Sequence, residues 1–299
     1  MNTEWQGHGI GMEGRYYGLP DEFSQIDHSQ IVILPVPVDQ TTTYKHGTDR
    51  GPQAIIEASR HLELYEIETQ SNLYTLGIYT APAIETSSSQ ALQTAVYQQV
   101  SHYLARQQFV VTLGGEHSIS FGSIQAHAEH YPGLSVLQFD AHADLYDNYE
   151  GDRWNHACIM ARVREIPQVS NIVAVGIRSL SQEEADVLDK QNTFFAFTLD
   201  LQEQWIEKVM SQLNEQVYIS FDVDAFDPSL MPATGTPEPG GMQWNQVMAL
   251  LKRVAKEREI VGFDVVELLP HPAHHAADFL TAKLVSKILN YQFFKTNLF

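Results

Sequence analysis

Short apolar runs, each followed by a stretch with helical spacing, recur along this chain and leave it few folds to choose from. The runs cover residues 31–38, 108–113, 134–140, 171–177, 216–222 and 260–267, with weaker ones at 72–76 and 193–197. Helix-like segments lie near 52–64, 88–107, 118–130, 181–190, 200–215, 243–257 and 273–291. A strand that is apolar along its whole length must be covered on both faces, and alternating helices supply the covers. The expected fold is therefore α/β, with three layers (α/β/α) around a mostly parallel central sheet. No tandem repeat, low-complexity tract or linker divides the 299 residues. One domain over residues 1–299 is expected, with 1–29 as an N-terminal extension packing on it. In such sheets ligands bind beyond the carboxyl ends of the strands.

Three of those strand ends are loaded with metal-ligand residue types. The first run ends in Gly114-Gly115-Glu116-His117-Ser118, the second in Asp140-Ala141-His142-Ala143-Asp144, and the third in Asp222-Val223-Asp224, followed by Asp227-Pro228. On extended backbone, residues i, i+2 and i+4 point the same way, so Asp140, His142 and Asp144 can converge, as can Asp222 and Asp224. With His117 they make four carboxylates and two imidazoles. Four carboxylates packed together repel one another and their pKa values rise, which two divalent cations would relieve. Oxygen donors with some imidazole suit Mn²⁺, while Ni²⁺, Co²⁺, Fe²⁺ and Zn²⁺ remain chemically possible. Two such ions roughly 3.5–4 Å apart can acidify a shared water enough to give hydroxide near neutral pH.

At these residues the chain resembles the ureohydrolase (arginase/agmatinase) family, whose three signatures match the motifs above in order and approximate spacing. Gly47-Thr48-Asp49-Arg50-Gly51-Pro52 and Thr234-Gly235-Thr236-Pro237 are similar to two further family segments. The resemblance runs from about residue 31 to the final helix, and its closest look is to agmatinases. It implies that His117, Asp140, Asp144 and Asp222 hold one Mn²⁺, and that Asp140, His142, Asp222 and Asp224 hold a second. It further implies that Glu267 binds the guanidinium, that His156 carries a proton to the leaving amine, and that Asp144 takes a proton from the attacking water. A homotrimer or homohexamer is the assembly it implies. The fold would be arginase/deacetylase-like, but deacetylase-type relatives use one zinc and fewer acidic ligands. A catalytically silent relative would have lost a bridging aspartate, and none is lost.

Charge and composition narrow the partners. A net charge of −19 argues against nucleic acid, which needs clustered Lys and Arg. It favours approach of cations, metal ions or a positively charged substrate, but taken alone it reads as charge that keeps a cytosolic protein soluble. The small cationic guanidino substrate is what the family resemblance implies. No run approaches the roughly 20 apolar residues of a membrane span. The N-terminus lacks the basic start and apolar core of a secretory signal, and the single cysteine, Cys158, suits a reducing cytoplasm. The string Gly9-Ile10-Gly11-Met12-Glu13-Gly14 follows no strand, so a dinucleotide loop is not expected. Asp222, Asp224 and Asp227 lack the calcium-loop pattern, and His271, His274 and His275 read as a capped, solvated helix start. For the substrate, the loop 146–153 carries three acids and one base, Arg153. Such a loop would tolerate the free ammonium of agmatine and repel a carboxylate tail. The expected reaction is agmatine to putrescine and urea, with guanidinobutyrase, guanidinopropionase, arginase, guanidine hydrolase or formimidoylglutamase activity as alternatives.

Overall fold

The computed structural model describes residues 12–86, 88–199 and 204–295. Eight strands form one sheet, every neighbouring pair parallel: β1 (Ile31–Val36), β4 (Ile78–Thr80), β5 (Phe109–Gly114), β6 (Leu134–Phe139), β7 (Val169–Ile177), β8 (Thr193–Phe195), β9 (Gln216–Asp222) and β10 (Glu259–Val266). Their order across the sheet is β4-β1-β5-β10-β9-β6-β7-β8. The short pair β2 (Tyr65–Glu66) and β3 (Ser71–Asn72) lies outside it, antiparallel. The helices are α1 (Gly51–Ser59), α2 (Ser89–Ala105), α3 (Ser120–His130), α4 (Ile159–Val163), α5 (Gln182–Val187), α6 (Gln204–Gln212), α7 (Trp244–Glu257) and α8 (His275–Phe293).

The period of two splits each central strand between two cores. Ile31, Ile33, Val111, Leu113, Leu137, Phe139, Ile219 and Phe221 share one apolar cluster with Ile55 of α1, Leu251 of α7 and Ile288 of α8. Their strand neighbours Val32, Leu34 and Val110 face Leu92, Val96 and Val100 of α2. Val136 and Tyr218 pack with Ile124 of α3 and Ile159 of α4. The result is a three-layer α/β/α fold.

The weak run at 72–76 is a correction: Leu73–Leu76 is a 3-10 turn, and the edge strand comes later, at Ile78–Thr80. Leu73 and Leu76 are three apart, a spacing that fits one such turn as well as a strand. The last helix starts at His275 instead of residue 273. Of the expected helix 200–215, residues 200–203 lie outside the described residues, as do Gly9 and Gly11 of the glycine string. From residues 12–29, buried Tyr16 donates its hydroxyl to the Ala282 carbonyl at 2.9 Å and Tyr17 to Ser286 Oγ at 2.6 Å, both on α8. Among the described residues no helix is long and apolar enough to cross a membrane.

Sheet order decides where chemistry can sit. The crossover from β1 leads to β4 on one side, and that from β5 leads to β6 on the other, so the order reverses between them. Strands β5, β10, β9 and β6 lie side by side in the middle of the sheet, and the three ligand-type motifs and Glu267 each follow one of these four. Gly115 sits where the chain leaves β5 against β1. A Cβ there would lie 1.9 Å from the Val38 carbonyl oxygen, so only glycine lets this loop pass.

A candidate metal centre at the ends of four central strands

His117 follows β5 into a buried 3-10 turn. Its Nε2 is 2.9 Å from Ser220 Oγ on β9, and that hydroxyl donates to Asp264 Oδ1 on β10 at 2.9 Å. Tyr218 donates to the other Asp264 oxygen at 2.8 Å. Because the serine proton goes to Asp264, Ser220 accepts from Nε2–H, which leaves Nδ1 as the nitrogen that can offer a lone pair to a cation. That Nδ1 makes no hydrogen bond although it is buried. Around it lie Asp144 Oδ2 at 2.9 Å, Asp140 Oδ2 at 3.2 Å and Asp222 Oδ2 at 3.6 Å. A nitrogen lone pair gathered with three carboxylate oxygens is the donor set of a shared cation.

A second group stands beside the first. His142 Nδ1 is 2.9 Å from Asp224 Oδ2 and 3.7 Å from Asp140 Oδ1. His117, Asp140 and Asp144 form one set that could hold a metal ion, and Asp140, His142 and Asp224 form the other. Asp140 is common to both. Backbone donors fix the remaining oxygens: His142 N–H donates to Asp140 Oδ1 at 2.6 Å, Ala141 N–H to Asp224 Oδ1 at 2.9 Å, and Asp224 N–H to Asp222 Oδ1 at 2.8 Å.

The convergence is real, but the expected extended backbone is not its cause. Strand β6 ends at Phe139, and Asp144 reaches the cluster through a left-handed backbone with φ of 54°. Asp224 lies in a 3-10 turn, Val223–Ala225, capped by Asp222. Glu267, just past β10, is also left-handed, with φ of 66°. Left-handed conformations in non-glycine residues are costly and gather at functional sites.

The electrostatics of the cluster show a deficit of positive charge. Burial, then Asp224, Asp140 and Glu267, push Asp222 well above the ordinary carboxylate range. Burial, then Asp140, raise Asp144, and burial, then Glu116, raise Glu267. Burial would also raise Asp140, but the imidazoles of His117 and His142 beside it outweigh that and hold it low. For His142 burial opposes the charge, yet Asp224 and Asp140 push it up to about 12. His117 is raised in the same way by Asp140 and Asp144. Protons are doing the work that cations would do better. On donor type, geometry and charge, these residues fit divalent metal.

A cavity of about 390 Å³ opens over the cluster, lined by His117, His142, Asp144, Asp222, Asp224, Glu267 and His156. Asp140 lies beneath the lining. Glu267 Oε1 accepts the His117 backbone N–H at 2.6 Å. His156 opens the 3-10 turn His156–Cys158, which Asn155 caps through the Ala157 N–H at 3.0 Å. Further out the wall is Thr42, Tyr44, Tyr146, Tyr149, Glu184 and Thr234–Thr236.

The loop 146–153 corrects the charge expectation. Asp147 turns outward to Arg162 at 2.6 Å, with 91% of its side chain exposed, and Asp152 accepts from Ser89 Oγ and the Trp154 N–H. Arg153 turns away too, to Glu165 at 3.0 Å. What the loop offers the cavity is Tyr146 and Tyr149, rings 5.0 Å apart. The acid on this wall is Glu184, which no motif pointed to. Its signal was a capping box: Glu184 accepts the Ser181 N–H at 2.8 Å and gives its own N–H to Ser181 Oγ.

Other singled-out residues have structural explanations. Asp227 accepts from the N–H groups of Ser229, Gly240 and Gly241 and pins the loop between them. Cys158 is buried and free. Residues 271–275 are exposed, but no side chain caps α8 at His274, so the start is solvated and not capped.

The Arginase family matches this sequence over residues 29–290. The chain belongs to the arginase family. Among similar members, an N(1)-aminopropylagmatine ureohydrolase of Synechocystis is 36% identical over 273 residues, covering 87% of this chain and 88% of its own. An agmatinase of Pyrococcus horikoshii is 33% identical over 274 residues, 88% of this chain and 92% of its own. The solved agmatine ureohydrolase of Thermoplasma volcanium has a TM-score of 0.82 at 31% identity, covering 90% of this chain and 92% of that one. This arginase-family protein is a metal-dependent ureohydrolase, similar to agmatinases and N(1)-aminopropylagmatine ureohydrolases, and its eight-strand sheet is the family fold.

Proposed function

We propose that the protein hydrolyses a small guanidino compound with a cationic tail, releasing urea and an amine, and that agmatine, giving putrescine, is that compound. The carrying observation is the cavity: two His/Asp groups sharing Asp140 on its floor, Glu267 and His156 on its wall, and no Lys or Arg among its described lining residues. In this reading His117, Asp140, Asp144 and Asp222 hold one Mn²⁺, and Asp140, His142, Asp222 and Asp224 the other. Bound, the ions would offset the carboxylates and acidify the attacking water. Asp144 takes the proton that water gives up. Glu267 pairs with the planar guanidinium and sets its carbon over the floor. His156 gives a proton to the departing amine. The tyrosines and Glu184 suit an alkylammonium tail, by cation–π attraction and charge. The single buried cysteine supports a cytoplasmic setting, and the family resemblance supports a homotrimer or homohexamer.

The name of the Synechocystis relative favours a second reading, agmatine carrying an aminopropyl extension. The cavity mouth is open at Tyr44, 67% exposed, which leaves room for a longer cation. The test is kcat/KM for urea release under one Mn²⁺-loaded condition from agmatine, N(1)-aminopropylagmatine, 4-guanidinobutyrate, 3-guanidinopropionate, arginine and guanidine. The two cationic-tailed compounds should lead by tenfold or more. A carboxylate-tailed compound ahead by tenfold would overturn the tail assignment.

Metal binding should release protons. With His142 pushed up to about 12 and His117 raised, the metal-free site holds protons at neutral pH that ligation must displace. The bound form carries fewer protons, so apparent Mn²⁺ affinity should rise with pH from 6 to 9 and fall on acidification. Calorimetric titrations in buffers of different ionisation enthalpy measure the protons released. A pH-independent affinity with no released proton would contradict this account of the site.

A further inference from the structure

Glu116 is fully buried beside His117, yet nothing above gives it work. Each contact it makes is with a donor. Its Oε2 accepts the backbone N–H of Gln40 at 2.9 Å and of Thr41 at 2.7 Å, and the Thr42 hydroxyl at 3.3 Å. Its Oε1 accepts the hydroxyls of Ser118 at 2.6 Å and Thr41 at 3.0 Å. The Thr41 oxygen also meets His156 twice: it accepts the His156 backbone N–H at 3.0 Å and lies 3.1 Å from the ring Nδ1.

A threonine hydroxyl has one proton to give and two lone pairs to fill. Thr41 gives its proton to Glu116 and fills one lone pair with the His156 N–H, which can only donate. The remaining lone pair faces Nδ1, so Nδ1 must carry the ring proton. The opposite arrangement, with Thr41 donating to Nδ1, would set the Thr41 oxygen and Glu116 Oε1 lone pair to lone pair at 3.0 Å. It would also forfeit one of the five contacts that the carboxylate accepts.

We propose that Thr41, oriented by Glu116, is a positioning residue that holds His156 as its Nδ1–H tautomer and leaves Nε2 as the nitrogen that exchanges a proton in the cavity. This rests on the reading of His156 as the proton carrier. The tautomer of a histidine is set by the bond its other nitrogen makes, and here that bond is built from residues 75 and 115 positions apart in sequence. Neither Glu116 nor Thr41 touches substrate in this account. They act through His156.

Two measurements test it. On Mn²⁺-loaded enzyme with agmatine, Thr41→Val should lower kcat by ~10-fold with KM within twofold and metal content unchanged. Thr41→Ser, which keeps the hydroxyl, should restore kcat. Thr41→Val in the His156→Asn background should cost nothing further, since the residue it positions is gone. In Zn²⁺-loaded, ¹⁵N-histidine-labelled protein, where no paramagnetic ion broadens the signals, the resonances lost in His156→Asn should report a protonated Nδ1. Thr41→Val should shift them towards the Nε2–H form. Wild-type kcat and an unshifted tautomer in Thr41→Val, beside an impaired His156→Asn, would overturn this proposal and leave the role of His156 standing. Wild-type kcat in His156→Asn would remove the proton carrier and this proposal together.

Discussion

Asp140→Asn should give a folded protein that has lost almost all turnover, by ~10³-fold or more. Asp140 is common to both candidate metal groups, so a single substitution would weaken both sites of the proposed pair. The asparagine keeps the shape and can still accept from the His142 N–H, now 2.6 Å from Asp140 Oδ1, so packing around this fully buried side chain should survive. What goes is a formal charge at the centre of the proposed two-metal site, and the transition-state stabilisation such ions would supply amounts to several kcal/mol, about a factor of ten for each 1.4 kcal/mol. Elemental analysis should show less metal per subunit than in Asp224→Asn, since Asp224 belongs to one group only. Retention of wild-type metal content with turnover within tenfold of wild type would show that Asp140 is not shared.

Much of this was legible in the sequence because strand ends advertise themselves. The six strong apolar runs each match a strand within two residues at either end, and His117, Asp140, His142, Asp144 and Asp224 gather into two groups, with Asp222 3.6 Å from His117 Nδ1. What the sequence concealed is side-chain direction in loops and pairing over distance. The acids at 147 and 152 had the composition of a cation-attracting loop, but Arg162 and Ser89 were on offer outside and drew them away. Ser220 looked like any small residue in a buried strand. Only the register of Ser220 with Asp264 across β9 and β10 turns it into the group that fixes the His117 tautomer. Glu116 stood in plain sight inside a signature motif, but its meaning depends on Thr41, 75 positions earlier.

Glu267→Gln should cut kcat/KM by ~10²-fold or more while leaving metal content intact. The side chain is held from two directions: its backbone is left-handed at φ of 66°, and Oε1 accepts the His117 N–H at 2.6 Å. A glutamine oxygen can keep that bond, so the metal centre behind it should not move. The other terminal atom faces the cavity near Gly235, where Glu267 Oε2 lies 4.0 Å from the position a Cβ would take. An oxygen there can accept from a guanidinium, whereas an NH₂ presents donors to donors. The substitution therefore removes an ion pair and adds a repulsion, and hydrogen bonds to charged groups are worth about 1.5–3 kcal/mol even before that. Because burial and Glu116 already hold Glu267 well above the ordinary carboxylate range, its charge is expensive in the empty cavity and is stabilised when a cation arrives. Substrate charge then matters more than substrate shape: the loss should be common to every guanidino compound that turns over, whatever its tail. A Glu267→Gln variant that lost one tail class and kept another would place Glu267 at the tail, and the guanidinium would need a different partner.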